Sequence, residues 1–341
     1  MNKTKYENKG LSGLANLGNT CFINSCIQIL SHTYELNNFL DNETYKKKLK
    51  NKYDSALLIE WDNLRKILWN ENCIVSPGKF ITTVQKVAKL KKMAIFTEYS
   101  QNDVSEFLLF LIDCFHTSLS RGITMTVSGN PETDTDRIAL KCFEMVKNTY
   151  SKDYSEIWNL FYAVNVSEIT RTDNGKVLSI NPEPFFMVDL PIPSDNNSPS
   201  LIDCFNHYVN GEIIEDYLDE EVNEKVHIRK KISFWSFPNI LAIDLKRFNN
   251  RFQKNKIYVT FPIDELDLSP YVIGYKKNTF KYELYGVCNH SGGVMGGHYT
   301  SYVKNANGKW YHFNDTSVSE VGINDSIISP KAYVLFYRKK L

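Results

Sequence analysis

From Val104 onward the apolar residues Val104, Phe107, Leu108, Leu111, Ile112 and Phe115 fall at i, i+3, i+4, i+7, i+8 and i+11. That spacing predicts a helix with one buried face. Ser100, with Asp103 three residues on, reads as the capping pair that opens it. A second stripe, Ile23, Ile27 and Leu30, predicts a helix following a turn at Gly18 and Asn19. The first half of the chain is therefore expected to be mostly helical. After a turn-rich break at 130–136 (NPETDTD) the texture changes. Residues 161–169, 232–235, 240–245, 257–261, 282–288, 299–303, 310–313 and 332–337 are short and rich in β-branched or aromatic side chains, and predict strands. One helix interrupts them, capped by Ser200 and Asp203, with Leu201, Phe205 and Tyr208 on its apolar face. Loops are expected at 191–199 and 249–255. Helices followed by a largely antiparallel sheet make the fold class α+β.

Composition narrows the function classes. The chain has 341 residues, enough to bury a core without disulfides or a structural metal. Its 40 Lys+Arg against 39 Asp+Glu give a net charge of +1, which removes the simplest case for nucleic-acid binding. The local basic runs at 46–52 and 86–92 read as solvated faces. The longest apolar run, 107–112, is far short of a membrane span. Residues 1–10 are polar and lysine-bearing, unlike a secretory signal. Cys21, Cys26, Cys73, Cys114, Cys142, Cys204 and Cys288 are irregularly spaced and odd in number. Free thiols in an intracellular, reducing compartment are expected, cytoplasmic or nuclear and not secreted. No CxxC or HExxH occurs, and Cys288, His290 and His298 match zinc spacings poorly, so neither metal nor cofactor is expected.

Candidate chemistry lies in two segments. Residues 16–26 (NLGNTCFINSC) place Cys21 in the first turn of a buried helix, where free N–H groups and the helix dipole favour a thiolate. A small apolar residue closing a helix start is the plainer reading of the same position. Residues 291–303 (SGGVMGGHYTSYV), the turn 304–308 and the return strand 309–313 read as a hairpin. If Val303 faces Lys309, His298 faces Asn314. A Cys, a His and an Asn in that order is the papain-type arrangement, with Asn314 holding the imidazole tautomer. Gly296 and Gly297, lacking Cβ, let another backbone approach closely. His312 reads as structural.

The segment 13–25 (GLANLGNTCFINS) resembles the cysteine box of the ubiquitin-specific proteases, and 298–318 resembles their histidine box. Residues 101–107 (QNDVSEF), 245–248 (LKRF) and 332–337 (AYVLFY) are similar to three linking motifs of that family, in the same order. The resemblance implies a papain-like, hand-shaped catalytic domain over 11–338. Its parts would be a helical thumb at about 11–155, fingers with an inserted helix at 156–235, and a palm sheet at 236–338. Residues 1–10 would be a short extension. It implies a deubiquitinating cysteine protease that cuts the isopeptide or peptide bond after ubiquitin's C-terminal glycine through a thioester. Cys21 would be the nucleophile, His298 the base, Asn314 the third member with Asp315 as an auxiliary, and Asn16 the oxyanion donor. Asp103, Glu106, Gln101, Gly296 and Gly297 would meet the ubiquitin tail.

Ubiquitin and ubiquitinated proteins are the implied partners, with the enzyme a monomer. A non-catalytic ubiquitin-binding module, or the same chemistry on another ubiquitin-like modifier, are the alternative readings. Members with zinc-bearing fingers carry CxxC pairs that would fall near Arg171 and Asn174 and between Tyr217 and Lys230; none is present. The acidic run 219–224 (DEEVNE) in that region is read either as facing basic ubiquitin surface or as a solvated hairpin tip.

Overall fold

A large sheet, a four-stranded sheet and a helical half with its own short strand pair make up the computed structural model, which describes residues 3–50, 52–194, 197–249, 251, 253–293, 296–322 and 326–340. The helical half contains α1 (Cys21–Ser31), α2 (Tyr34–Asp41), α3 (Tyr53–Asn70), α4 (Gly78–Leu90) and α5 (Val104–Leu119). The predicted stripe of α5 is buried at all six positions. Asp103 is itself the N-cap, accepting from the Ser105 and Glu106 N–H groups, so the expected Ser100–Asp103 pair does not form. Every residue of α1 is buried. It packs between α5 and the large sheet, so its polar side chains must find partners inside the protein. A short parallel pair, β1 (Gly13–Leu14) and β2 (Ile74–Val75), holds the segment leading into α1.

The break predicted at 130–136 is shorter than expected. Thr133 and Asp136 form a capping box that starts α6 (Asp134–Asp153) within it. Although assigned to the thumb from sequence, α6 buries Ala139 and Cys142 against Val164, Val166 and Trp235 of the finger region. The helix α7 (Glu156–Phe161) follows and leads into a four-stranded sheet. That sheet has the order β4 (Val177–Phe185), β3 (Ala163–Arg171), β7 (Glu224–Phe234), β6 (Glu212–Asp219). At its tip Arg171 bonds Asp173 at 2.6 Å and the buried Asp219 at 3.4 Å, while Lys176 pairs with Glu221 at 2.6 Å. Asp219 and Glu221 of the acidic run thus hold the tip together. Strand pairing and this ion cluster join the fingers; among the described residues no group of three metal-ligating side chains is gathered.

The large sheet is largely antiparallel, as expected, with one parallel pair at its edge. Its order is β13 (Ser317–Glu320), β12 (Trp310–Asn314), β11 (Gly296–Lys304), β10 (Lys281–Gly293), β14 (Ala332–Lys339), β8 (Ile240–Lys246), β5 (Met187–Pro191), with β9 (Leu266–Asp267) on β10. The β5–β8 pair is parallel. Between them α8 (Leu201–Asn210) caps as predicted through Ser200 and Asp203 and buries Leu201 and Phe205. Residues 257–261 form no strand, only an isolated bridge from Thr260 to Ser200. Of the strands β4, β5 and β6, which went unread, the finger strands β4 and β6 have side chains that are mostly exposed or half-buried, and β4 carries two prolines.

Candidate active site

The loop before α1 is shaped by one side chain. Asn16 Oδ1 accepts from the Gly18 N–H at 3.0 Å and the Thr20 N–H at 3.2 Å. Its amide Nδ2 is thereby aimed at Asp315, donating to Oδ2 at 3.0 Å. Asp315 Oδ1 accepts from Asn24 Nδ2 at 2.8 Å, and the Asp315 carbonyl accepts from the Leu14 N–H at 2.8 Å. Asp315 reaches these partners from a left-handed backbone conformation, φ +49°. Both of its carboxylate oxygens therefore face the cysteine loop and α1, not the histidine. Asn24, three residues past the cysteine, was not singled out from sequence, and a buried Asn beside the nucleophile was the available signal.

His298 Nε2 lies 2.7 Å from Asn314 Oδ1. An amide oxygen can only accept, so Nε2 carries the proton and Nδ1 is left basic. The predicted neighbours meet, but by another register. Val303 pairs with Tyr311 and Lys304 with Trp310. Asn305 N–H donates to Lys309 O at 2.9 Å and Gly308 N–H to Asn305 O at 3.0 Å, which moves the turn one residue along. His298 thus reaches Asn314 diagonally across the hairpin rather than directly. His312 sits against the Tyr302 ring, 4.9 Å between centroids.

Cys21 is buried at the start of α1, with the Tyr299 backbone N–H directed at its sulfur. That contact sets the thiol beside the residue next to His298. Burial pushes the thiol pKa up; the N–H groups of Tyr299, Phe22 and Cys21 oppose this, and the Asp315 charge adds to it. The helix start alone does not win, contrary to the expectation from sequence.

Gln101 clasps the other side of the histidine strand. Its Oε1 accepts from the Gly297 N–H at 2.8 Å and its Nε2 donates to Gly297 O at 3.2 Å. A Cβ at Gly297 would overlap His290 Nε2, so only glycine fits there. Gly296 has no such crowding from backbone; Val294 and Met295 lie outside the described residues. Lys254 fixes His290, with Nζ 2.9 Å from Nδ1 and 2.6 Å from the carbonyl. Burial first, and the Lys254 charge second, lower the His290 pKa to about 4.

A cleft of about 570 Å³ runs from this point between α5 and the sheet, bordered by Gln101, Asp103, Glu106, Phe248, Tyr299 and Tyr333 among others. Asp103 is committed twice over, to the helix cap and to the Tyr333 hydroxyl at 2.6 Å. Glu106 is exposed at the rim, its pKa raised by partial burial and by Asp103.

The sequence profile of the family described as "Ubiquitin carboxyl-terminal hydrolase" matches residues 12–337. The human protein Ubiquitin carboxyl-terminal hydrolase 2 is 34% identical over 345 residues, covering 96% of this chain and 55% of that protein. Usp2 of Drosophila melanogaster is 31% identical, covering 98% of this chain and 35% of the relative. The chain thus spans about half the length or less of these relatives. Among solved structures, the SAGA Ubp8/Sgf11/Sus1/Sgf73 DUB module bound to ubiquitin aldehyde superposes with a TM-score of 0.74 at 23% identity. That match covers all of this chain and 72% of the other, and shows the shared fold. This chain belongs to the ubiquitin carboxyl-terminal hydrolase family.

Proposed function

We propose that this chain is a deubiquitinase that hydrolyses the bond after ubiquitin's C-terminal glycine, with Cys21 as nucleophile and His298 as general base. The observation that carries the reading is the His298 Nε2–Asn314 Oδ1 bond at 2.7 Å, on the strand whose next N–H meets the Cys21 sulfur. Asn314 keeps the proton on Nε2, so Nδ1 takes the thiol proton as sulfur attacks the glycine carbonyl carbon. The carbonyl π electrons move onto oxygen. Asn16 Nδ2 has one hydrogen on Asp315 and a second to offer that oxygen. As the tetrahedral adduct collapses, the C–N bond breaks and the imidazolium returns its proton to the departing lysine amine. Water, deprotonated by His298, then attacks the thioester and releases ubiquitin and the Cys21 thiol.

The tail of the substrate would lie in the cleft beside the Gln101–Gly297 clasp, with Glu106 at the rim. The related SAGA module bound to ubiquitin aldehyde supports ubiquitin as the modifier. All seven cysteines are unpaired, which suits a reducing, intracellular setting. Turnover of ubiquitin carrying a C-terminal amide-linked fluorophore tests the reading. Wild type should hydrolyse it, and Cys21→Ala and His298→Ala should not; equal turnover by Cys21→Ala would overturn it.

A further inference from the structure

Lys254 is a half-buried cation whose partner is a histidine rather than a carboxylate. Beyond the end of β8, Phe248 and Lys254 form an antiparallel bridge, and the Asn255 N–H donates to Arg247 O at 2.6 Å. Arg247 fixes the same stretch from inside, its Nη1 donating to the Asn255 and Ile257 carbonyls at 3.1 and 2.8 Å. Lys254 is thereby directed onto β10, where its Nζ meets both the ring and the carbonyl of His290. Burial first, then the charges of Arg247 and Lys256, pull its pKa down to about 8. A cation placed among like charges costs the fold stability, and such local conflicts collect where geometry matters to function.

What the amine holds lies next to the reacting groups. His290 pairs with Tyr299 across β10 and β11, with 4.6 Å between their rings. The Nε2 end of the imidazole fills the space that a Cβ on Gly297 would need. Gly297 and Tyr299 flank His298, and the Tyr299 N–H is directed at the Cys21 sulfur. An ammonium can only donate, so His290 Nδ1 accepts and Nε2 carries the ring's proton. The Phe248, Tyr299 and Tyr333 rings surround the imidazole, and the Asp103 charge at the start of α5 acts against Lys254 by favouring protonation. A protonated ring would set two cations face to face and break the bond from Lys254.

We propose that Lys254 is a positioning residue for the hydrolysis, clamping His290 in the orientation that seats Gly297 and Tyr299 and so keeps His298 and Cys21 in register. The inference rests on the deubiquitinase reading and adds a residue that acts only through another. Its loss is felt in the rate of the chemistry, because the strand beside the reacting atoms shifts while the rest of the ubiquitin-binding surface stays as it was.

The test is steady-state hydrolysis of ubiquitin carrying a C-terminal amide-linked fluorophore by wild type, Lys254→Met, Lys254→Gln, His290→Ala and the double variant of Lys254→Met with His290→Ala. Lys254→Met should lower kcat about tenfold and leave KM within about twofold. Lys254→Ala takes its place if melting curves show that Lys254→Met does not fold. Lys254→Gln, whose amide can still donate to Nδ1, should keep more than half of the wild-type kcat. In the His290→Ala background the loss of Lys254 should cost nothing further. Nitrogen NMR of histidine-labelled protein, assigned with His290→Ala, should show His290 as a single neutral tautomer from about pH 5.5 to 8 in wild type and titrating within that range in Lys254→Met. Full activity without the Lys254 amine, a loss confined to KM, an equal loss in the His290→Ala background, or identical titration of His290 with and without Lys254 would each overturn the positioning role and leave the deubiquitinase reading intact. Absence of turnover by wild type would overturn both.

Discussion

Asn16 donates to Asp315 at 3.0 Å, and the same aspartate holds Asn24 of α1 with its other oxygen. The residue after the histidine's partner thus fixes the amide that precedes the nucleophile, and the histidine side and the cysteine side of the site are locked as one unit. Asp315→Ala should therefore free the Asn16 side chain and lower kcat about 10–10²-fold, close to the effect of Asn16→Ala. The double variant should lose little more than either single one, because both remove the same oriented donor. Steady-state kinetics on ubiquitin with a C-terminal fluorophore checks this, and fully additive losses would contradict it.

Gln101 and Gly297 are joined by two hydrogen bonds, and the space for a Cβ at 297 is taken by His290 and by Ser291 O at 2.7 Å. Gly297→Ala should push the β10–β11 hairpin outward and abolish most activity. Gln101→Ala should keep the fold and lower kcat/KM about tenfold, since the clasp aligns the strand next to His298. Melting temperature and kinetics measured together separate the two effects.

Burial raises the Cys21 thiol pKa in the free protein. A group raised in this way stays protonated until the pH passes its new, higher value. Alkylation of Cys21 by iodoacetamide should then climb through pH 7–9 without a plateau, followed by mass spectrometry with Cys21→Ala as the blank. A rate already flat at pH 7 would contradict it and point to a preformed thiolate.

Burial, with Asp103 and Asp189 adding to it, raises the Asp244 pKa well above the ordinary carboxyl value. Folding must then take up a proton that the unfolded chain has lost, so this carboxyl destabilises the protein at neutral pH. The penalty fades as the pH falls toward the unfolded value near 4. Asp244→Asn should be more stable than wild type by about 1 kcal/mol at pH 7.5, with the gain gone near pH 4. Urea denaturation at the two pH values measures it; a gain independent of pH would contradict the cause.

The nucleophile helix, the stripe of α5 and the cap of α8 were legible because each is set by residues close in sequence. The His298–Asn314 pairing was legible in outcome but not in register, because a turn at 305–309 looks much like one at 304–308 when only residue types are known. The Asp189–Asp244 pair was invisible, since the parallel pairing of β5 and β8 bridges α8 and the finger strands β6 and β7. The double commitment of Asp103 was half legible: its capping role shows in sequence, while the Tyr333 hydroxyl comes from the far end of the chain.

The central claim is that Cys21, with His298, attacks the C-terminal carbonyl carbon of ubiquitin. Intact-mass analysis after incubation with ubiquitin bearing a C-terminal electrophile tests it most directly. Wild type should gain the mass of one ubiquitin and Cys21→Ala none, with Asn314→Ala reacting more slowly. No adduct on wild type, or an adduct that persists in Cys21→Ala, would contradict it.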